Sequence, residues 1–355
     1  MKKYKFILSG YTRRSNRGVH ILELSVNEEV DLYRVEENSF KLLDLDNPSY
    51  ICLSQDKFFA LTSRDQGSVL AYKYDKSSDR LDKIDGVSGL GKSPCHLYFD
   101  EEQSFIYASN YHLGRLDIMT LEADSLDIYK SIMLEGKGPI SPNQDGPRCH
   151  MAVKDPNGSN ILLVNLGGDR VDTYRIGRQK EPRLVSTYHT KAGMGPRHLV
   201  FSHDSRYVYL MGELDSTVEV LAYDSSEGSL SLVDRLSSLP KETEEILNNS
   251  GAAIKITKTK NIHGSYNLYV SNRGHNSLSV YDVDDYGHIK MIQNIETCGK
   301  TPRDFCLTSD DKFILVGHQD SDDIVLFARS DSGSLSLCKR LDSNLDEIVC
   351  LQEIE

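Results

Sequence analysis

No stretch of this 355-residue chain approaches the ~18–20 consecutive apolar residues that a membrane span requires. The N-terminal segment Met1 to Tyr11 carries lysines and only a short apolar stretch, Phe6 to Leu8. That is far below the ~7–15 apolar residues of a secretory signal, and no small-residue cleavage site follows. A cytoplasmic location is therefore expected. Cysteine is sparse and scattered, with seven single residues at 52, 95, 149, 298, 306, 338 and 350. Without a Cys-x-x-Cys pair there is no signal for a zinc knuckle or a redox dithiol, and the odd count excludes a full disulfide framework. Cys52, Cys306 and Cys350 sit in apolar strand-like runs and read as small core residues. Positive charge is also short: 41 basic against 53 acidic residues leave a net charge of −12, and no basic run interleaves with aromatics. Nucleic acid and anionic membrane are poor partners for such a chain. An anionic small substrate remains open if basic residues gather locally.

Several catalytic signatures are missing too. There is no G-x-S-x-G elbow and no H-E-x-x-H, and Asp284, Asp285 and Gly287 are too few for a calcium loop. Gly86–Ser93 reads GVSGLGKS, formally a phosphate-cradling loop. That loop works only when a helix begins at its lysine. Here Pro94 follows at once and a strand-like run, His96 to Phe99, comes after it, so the segment reads as a loop between repeats.

What is present is a repeat. Each copy runs from a proline through a short apolar strand, an Asp-rich turn, a second apolar strand, a polar loop and a third strand ending near tyrosine. Copies occupy Asn47–Tyr74, Ser93–Leu121, Gly146–Ile176, Gly195–Asp224, Gly251–Val283 and Thr301–Ser330. Prolines 48, 94, 147, 196 and 302 mark them, with Ala252 in the proline place of the fifth. The period of ~45–55 residues is that of a propeller blade. Second strands such as Phe105–Ala108 and Ile161–Val164 are continuously apolar, as strands covered on both faces are. The third strands alternate, and a more polar fourth strand (Leu230–Asp234, Leu335–Arg340) follows. Residues 4–24 supply second and third strands without a first, and 346–354 a first with nothing after it. Together they make a seventh blade, so the whole chain, 1–355, is expected to be one all-β domain: a seven-bladed β-propeller whose ring closes between N- and C-terminal strands. Closure removes exposed sheet edges. The exception to strand spacing is Ser238–Asn249, where Pro240, early acidic residues and Gly251 predict one short helix.

Strand order makes a further deduction possible. First strands line the channel and second strands run antiparallel to them, so first-strand starts and second-strand ends share one mouth. The starts supply Tyr50, His96, Arg148, His150, Arg197, His198 and Arg303. The ends and the loops after them supply Tyr11, Asn110, His112, Asn165, Glu213, Asn272, Arg273, His275 and His318. Ten of these sixteen are His or Arg. One reading has the arginines cap backbone carbonyls of neighbouring blades. The other makes a cationic mouth suited to carboxylate or phosphate, whose oxygens the guanidinium fork pairs with. Glu213 stands apart because its repeat equivalents, taken as Thr62, Asn110, Asn165 and Asn272, are neutral. It is either a general base for water or a structural counter-ion, and His150 is the competing base.

The elements DGPRCH (145–150), NLGGDRVDTY (165–174), GPRHLVFSHDSRYVYLMGELDSTVEV (195–220), VSNRGHNSLSVY (270–281) and GKTPRDFCLTSDDKFILVGHQDSD (299–322) resemble the lactonase family of propellers, which contains propeller-type 6-phosphogluconolactonases and carboxy-muconate cyclase. The resemblance spans almost the whole chain. It implies a cytoplasmic enzyme of the pentose phosphate route that hydrolyses the lactone of 6-phosphogluconate, a small anionic sugar lactone, without an obligatory cofactor. Ring-opening ester hydrolysis needs no metal in principle, so none is expected, and a monomer or weak homodimer is expected. In the cyclase branch a His, two Arg and a Glu at one mouth are held to act, and by motif these match His150, Arg197, Glu213 and Arg273. His198, Asn165, Arg303, Tyr11 and His275 follow as substrate-binding candidates. Two departures stand out: the first blade opens with GYTRRSNRG, and Ala252 interrupts the proline pattern. A cyclase or lactonase acting on a carboxylated, unphosphorylated substrate, and a non-catalytic propeller binding a metabolite or protein, are the rival readings.

Overall fold

Strands covered on both faces must be apolar throughout, and the second strands are: every residue of Phe105–Asn110 and Ile161–Asn165 is buried. The outermost strands, such as Arg80–Val87, are half-buried or exposed along their length. The computed structural model of the protein describes residues 1–29, 32–158, 160–178, 181–243, 248–343 and 345–355. It contains seven four-stranded antiparallel sheets. Six are continuous in sequence: blade 1 (Ile51–Val87), blade 2 (His96–Met133), blade 3 (Cys149–His189), blade 4 (Pro196–Ser237), blade 5 (Ser250–Glu296) and blade 6 (Pro302–Leu341). Blade 7 joins Ile348–Glu353 to Lys2–Gly10, Gly18–Glu29 and Leu32–Asp44. The closing strand pairs antiparallel with the first, Phe6 opposite Glu353 and Ser9 opposite Cys350. The protein is a seven-bladed β-propeller closed by its terminal strands.

The core lies between blades. One cluster packs Phe105, Tyr107 and Ile118 of blade 2 on Ala152, Ile161 and Leu163 of blade 3. Another packs Leu162 and Val164 of blade 3 on Leu199, Val208 and Leu210 of blade 4. Truncating one of these fully buried rings to alanine removes about 3–5 kcal/mol, because neighbours on both sides lose contacts. Cys306 and Cys350 are buried as expected, whereas Cys52 is only half-buried.

Residues 88–95 form the connection between blades 1 and 2, and the strand His96–Asp100 follows Pro94 with no helix at Lys92. The helix expected over Ser238–Asn249 falls partly on 244–247, which lie outside the described residues. Residues 241–243 before them form a turn, closed by the Thr243 N–H on the Pro240 carbonyl at 2.9 Å.

Candidate active site

At the mouth where second strands end, one position recurs in four blades as a clasp. Asn110 donates its side-chain amide to the Lys92 carbonyl (2.7 Å), Asn165 to Glu135 (2.8 Å), and Asn272 to Ser238 (3.1 Å). The Thr62 hydroxyl does the same to Asp46 at 2.9 Å. Each carbonyl belongs to the segment that leads from one blade into the next, so these side chains lock the crossovers. Asn165 also accepts from the Arg148 and Gly168 N–H groups, both at 3.0 Å, and is fully buried. The expectation that it binds substrate is corrected: its polar atoms are occupied by backbone.

The residue after the clasp lines the mouth as Tyr111 and Arg273, whereas Leu166 is buried. The backbone N–H groups of Tyr11, Leu166, Glu213 and Gln319 bond to equivalent first-strand carbonyls, those of Glu347, Arg148, Gly195 and Thr301. Tyr111 follows Asn110 and Arg273 follows Asn272 in the same way. Glu213 is therefore equivalent to Tyr11, Tyr111 and Arg273, and the comparison with Thr62, Asn110, Asn165 and Asn272 is off by one residue.

First strands enter the channel through β-bulges. Between Cys149 and Met151, Pro196 and His198, and Pro302 and Asp304 one residue is extra to the ladder, namely His150, Arg197 and Arg303. A bulge frees a residue from pairing and re-aims its side chain. Blade 5 has the same irregularity between Gly251 and Ile254. There Gly251, opposite Asn272, holds the place of Pro196 opposite Gly212, so Ala252 is the counterpart of Arg197 and not of a proline. Arg148 lies two residues ahead of Arg197 in register despite the shared Gly-Pro-Arg. It donates to the carbonyls of His112 and Asn143, which is the capping role.

These side chains enclose a cavity of about 720 Å³, lined by Tyr11, Tyr111, His150, Glu213, Arg273 and Arg303 among others. A hollow of about 30 Å³ lined by Tyr50, Arg197, His198 and Arg303 adjoins it, sharing Tyr11, Ser49, Cys95 and Arg303. Tyr11, Arg303 and His198 are thus where binding residues were expected. His275 is not: its ring bonds the Ser277 hydroxyl at 2.8 Å and it lines neither space. His318 likewise turns to the Asp323 carbonyl (2.8 Å).

Glu213 is the hub. Its Oε2 lies 2.9 Å from Arg197 Nε, 3.1 Å from Arg273 Nη2 and 3.8 Å from His150 Nε2. The Arg197 approach is off the N–H axis, an ion pair rather than an aligned hydrogen bond, and Arg197 Nε, Arg273 Nε and His150 Nδ1 are buried without an aligned protein partner. Arg197 and Arg273 also donate to the carbonyls of Ala252 and Gly251, both at 2.8 Å, which fixes the guanidinium planes. Arg303 donates to the Gln319 side chain at 3.0 Å. Burial favours a protonated Glu213, but Arg273, Arg197 and Arg303 outweigh it and hold the carboxyl below its ordinary range. Burial, then Arg197, Arg303, His96 and Arg273, push His150 well below the usual 6.5, so it is neutral. Arg197 is lowered to about 10 by burial and by Arg273. Beneath them His198 stands edge-on to His150 (5.1 Å between ring centres) and to His96 (5.7 Å). Burial and Arg197 keep both neutral, His96 down to about 3.

Sequence reasoning missed Tyr111, whose ring meets His150 edge-on at 5.8 Å. Its place directly after a clasp asparagine was the available signal. Among the described residues no group of three or more His, Cys, Asp or Glu is arranged to hold a metal ion, and no helix is long and apolar enough to cross a membrane.

Comparison with known proteins agrees with the seven-bladed architecture. A family model described as "Lactonase, 7-bladed beta-propeller" matches residues 5–352. A Bacillus subtilis protein named 6-phosphogluconolactonase is 31% identical over 346 residues, covering 95% of this chain and 95% of its own. An uncharacterised Lactococcus lactis subsp. cremoris protein is 32% identical over 354 residues, covering 98% and 99%. The crystal structure of a Lactobacillus plantarum protein superposes with a TM-score of 0.90 at 31% identity, over 100% of both chains. The chain belongs to the lactonase family of seven-bladed β-propellers and is a lactonase-type hydrolase.

Proposed function

We propose that the protein is a cytoplasmic 6-phosphogluconolactonase that opens the sugar lactone to 6-phosphogluconate in the pentose phosphate route. The observation that carries this reading is electrostatic. Three guanidinium groups, Arg197, Arg273 and Arg303, stand about one carboxylate, Glu213, so these four groups carry a formal surplus of two positive charges in a chain whose net charge is −12. Such a surplus in a partly desolvated hollow is offset by an anion with oxygens for the guanidinium forks. The relative from Bacillus subtilis carries the matching name.

In the proposed reaction the lactone carbonyl lies beside Arg197 and Arg273, and water attacks its carbon. Neutral His150 takes the proton from that water. Glu213, 3.8 Å from the imidazole, stabilises the imidazolium that forms. Arg197 and Arg273 hold the negative charge developing on the carbonyl oxygen, a contribution of several kcal/mol when the donors are fixed beforehand. Collapse of the tetrahedral adduct breaks the ring C–O bond. The leaving alkoxide takes the proton from His150, giving a hydroxyl and a carboxylic acid that releases its proton to solvent, with His150 restored. The substrate's own charge offsets the arginines and so returns His150 toward a useful basicity.

The test is hydrolysis of fresh 6-phosphogluconolactone, followed against its spontaneous opening, by wild type and Arg197→Ala. Wild type should accelerate it, and the variant should lose about 10²–10³-fold in kcat. No acceleration by wild type would end the substrate proposal. Equal acceleration by both would remove Arg197 from the mechanism.

A further inference from the structure

The cavity has a side that the hydrolysis leaves idle. Away from the groups of blades 3 to 6, the cavity is lined by Ser49, Ser63, Gln66, Lys92 and Ser93, from the segments around blades 1 and 2 and the loop between them. Lys92 and Ser93 close the GVSGLGKS segment, which has no helix to cradle a nucleotide. The loop is nevertheless firmly seated. The Gly89 N–H bonds the Asp65 carbonyl at 3.0 Å and the Leu90 N–H bonds Gly67 at 3.1 Å. Leu90 is buried, and its carbonyl accepts from Arg115 at 2.9 Å. Gly67 is required beneath the loop: its φ is +94°, and a Cβ there would lie 2.5 Å from the Lys92 carbonyl carbon.

The Lys92 backbone is thus fixed at the cavity wall while its side chain is exposed. Among the described residues no carboxylate lies within ion-pair distance of its ammonium. Ser93 Oγ beside it is buried without a hydrogen-bond partner. In a δ-lactone the exocyclic carbon stands on the ring carbon across the ring oxygen from the carbonyl carbon and points away from the carbonyl oxygen, so a phosphate on it can extend to the part of the same cavity that Lys92 and Ser93 line. Lysine binds phosphate as a compact point charge.

Resting on the reading of the mouth as a 6-phosphogluconolactone site, we infer that Lys92 and the Ser93 hydroxyl form the subsite for the substrate's phosphate and set the preference for phosphorylated over neutral lactones. Arg197 and Arg273 are occupied by the carbonyl oxygen in the proposed reaction. Arg13 also lines the cavity but is paired with Glu347, so Arg303 serves as the comparison.

The experiment uses wild type, Lys92→Gln and Arg303→Gln. Calorimetric binding of 6-phosphogluconate and of gluconate is measured alongside kinetics on 6-phosphogluconolactone and glucono-δ-lactone. Lys92→Gln should weaken the phosphorylated compounds about 10- to 100-fold in Kd and KM, the loss of one charge-assisted contact. Its kcat should stay within about twofold, and the neutral compounds should be unaffected. Equal weakening of phosphorylated and neutral compounds, no weakening, or loss of phosphate preference only in Arg303→Gln would overturn the inference. If wild type accelerates neither lactone, the catalytic reading fails separately. The binding arm still decides Lys92 in that case, since loss of the 6-phosphogluconate preference in Lys92→Gln supports the subsite and its retention refutes it.

Discussion

Replacing Glu213 by Gln keeps the shape of the hub and removes its charge. Its contacts to Arg197 and Arg273 are 2.9 and 3.1 Å, and all three side chains are less than a fifth exposed. At ~3 Å and an effective dielectric of about 20, each contact is worth about 5.5 kcal/mol before desolvation. Removing one partner of a buried ion pair costs about 3–5 kcal/mol net, because the charge left behind is uncompensated. With about 2.1 cal/mol/K of unfolding entropy per residue, 355 residues give about 0.75 kcal/mol/K, so the melting temperature should fall by about 4–7 °C. The same surplus charge should attract anions. Inorganic phosphate should raise the melting temperature of Glu213→Gln more than that of wild type, each hundredfold excess over Kd adding about 2.7 kcal/mol. The assay is thermal unfolding in a zwitterionic buffer with and without phosphate. A variant that melts with wild type and gains nothing extra from phosphate would show that Glu213 does not neutralise the arginines.

Asn165→Ala should behave in the opposite sense to a site variant. It leaves the Glu135 carbonyl and two N–H groups without partners, costing about 1–3 kcal/mol in stability. Its KM and kcat should be unchanged, and a raised KM at normal melting temperature would return Asn165 to the site. Acid should weaken the fold through the channel histidines. His96, His150 and His198 all have folded-state pKa values below 6.5, so the unfolded chain binds more protons. Stability is full above pH 6.5 and falls as pH drops below it, by about 1.4 kcal/mol per pH unit for each histidine. Urea titrations at pH 7 and pH 5 should show a smaller difference for His96→Asn than for wild type, and an equal difference would mean that His96 is not held neutral.

The blades were legible because their physics is local. A second strand such as Phe105–Asn110 must be apolar on both faces, and that shows as a run. Closure followed from counting strands that lacked partners. The mouth was legible only in outline, because β-bulges hide from periodicity. DGPRCH and GPRHL share Gly-Pro-Arg, yet the ladder sets His150, not Arg148, opposite the place of Arg197. The same one-residue offset concealed Tyr111 and lent Asn165 a role that its backbone bonds exclude. Lys92 was passed over because its motif was weighed as a nucleotide loop, whereas its placement depends on Gly67, a contact distant in sequence.

The closing strand does more than seal an edge. Asp346 and Glu347, which precede it, accept the backbone N–H groups of Arg14, Ser15 and Asn16, and Glu347 pairs with Arg13 at 2.8 Å. That loop carries Tyr11 and Arg13 to the cavity. The mouth is thus shaped by contacts between segments some 330 residues apart in the chain. Removing Asp346 and Glu347 would leave His150, Arg197, Glu213 and Arg273 untouched but take away the carboxylates that hold the loop of Tyr11 and Arg13 at the cavity. The seal of the ring and the shape of the cavity therefore depend on the same few residues.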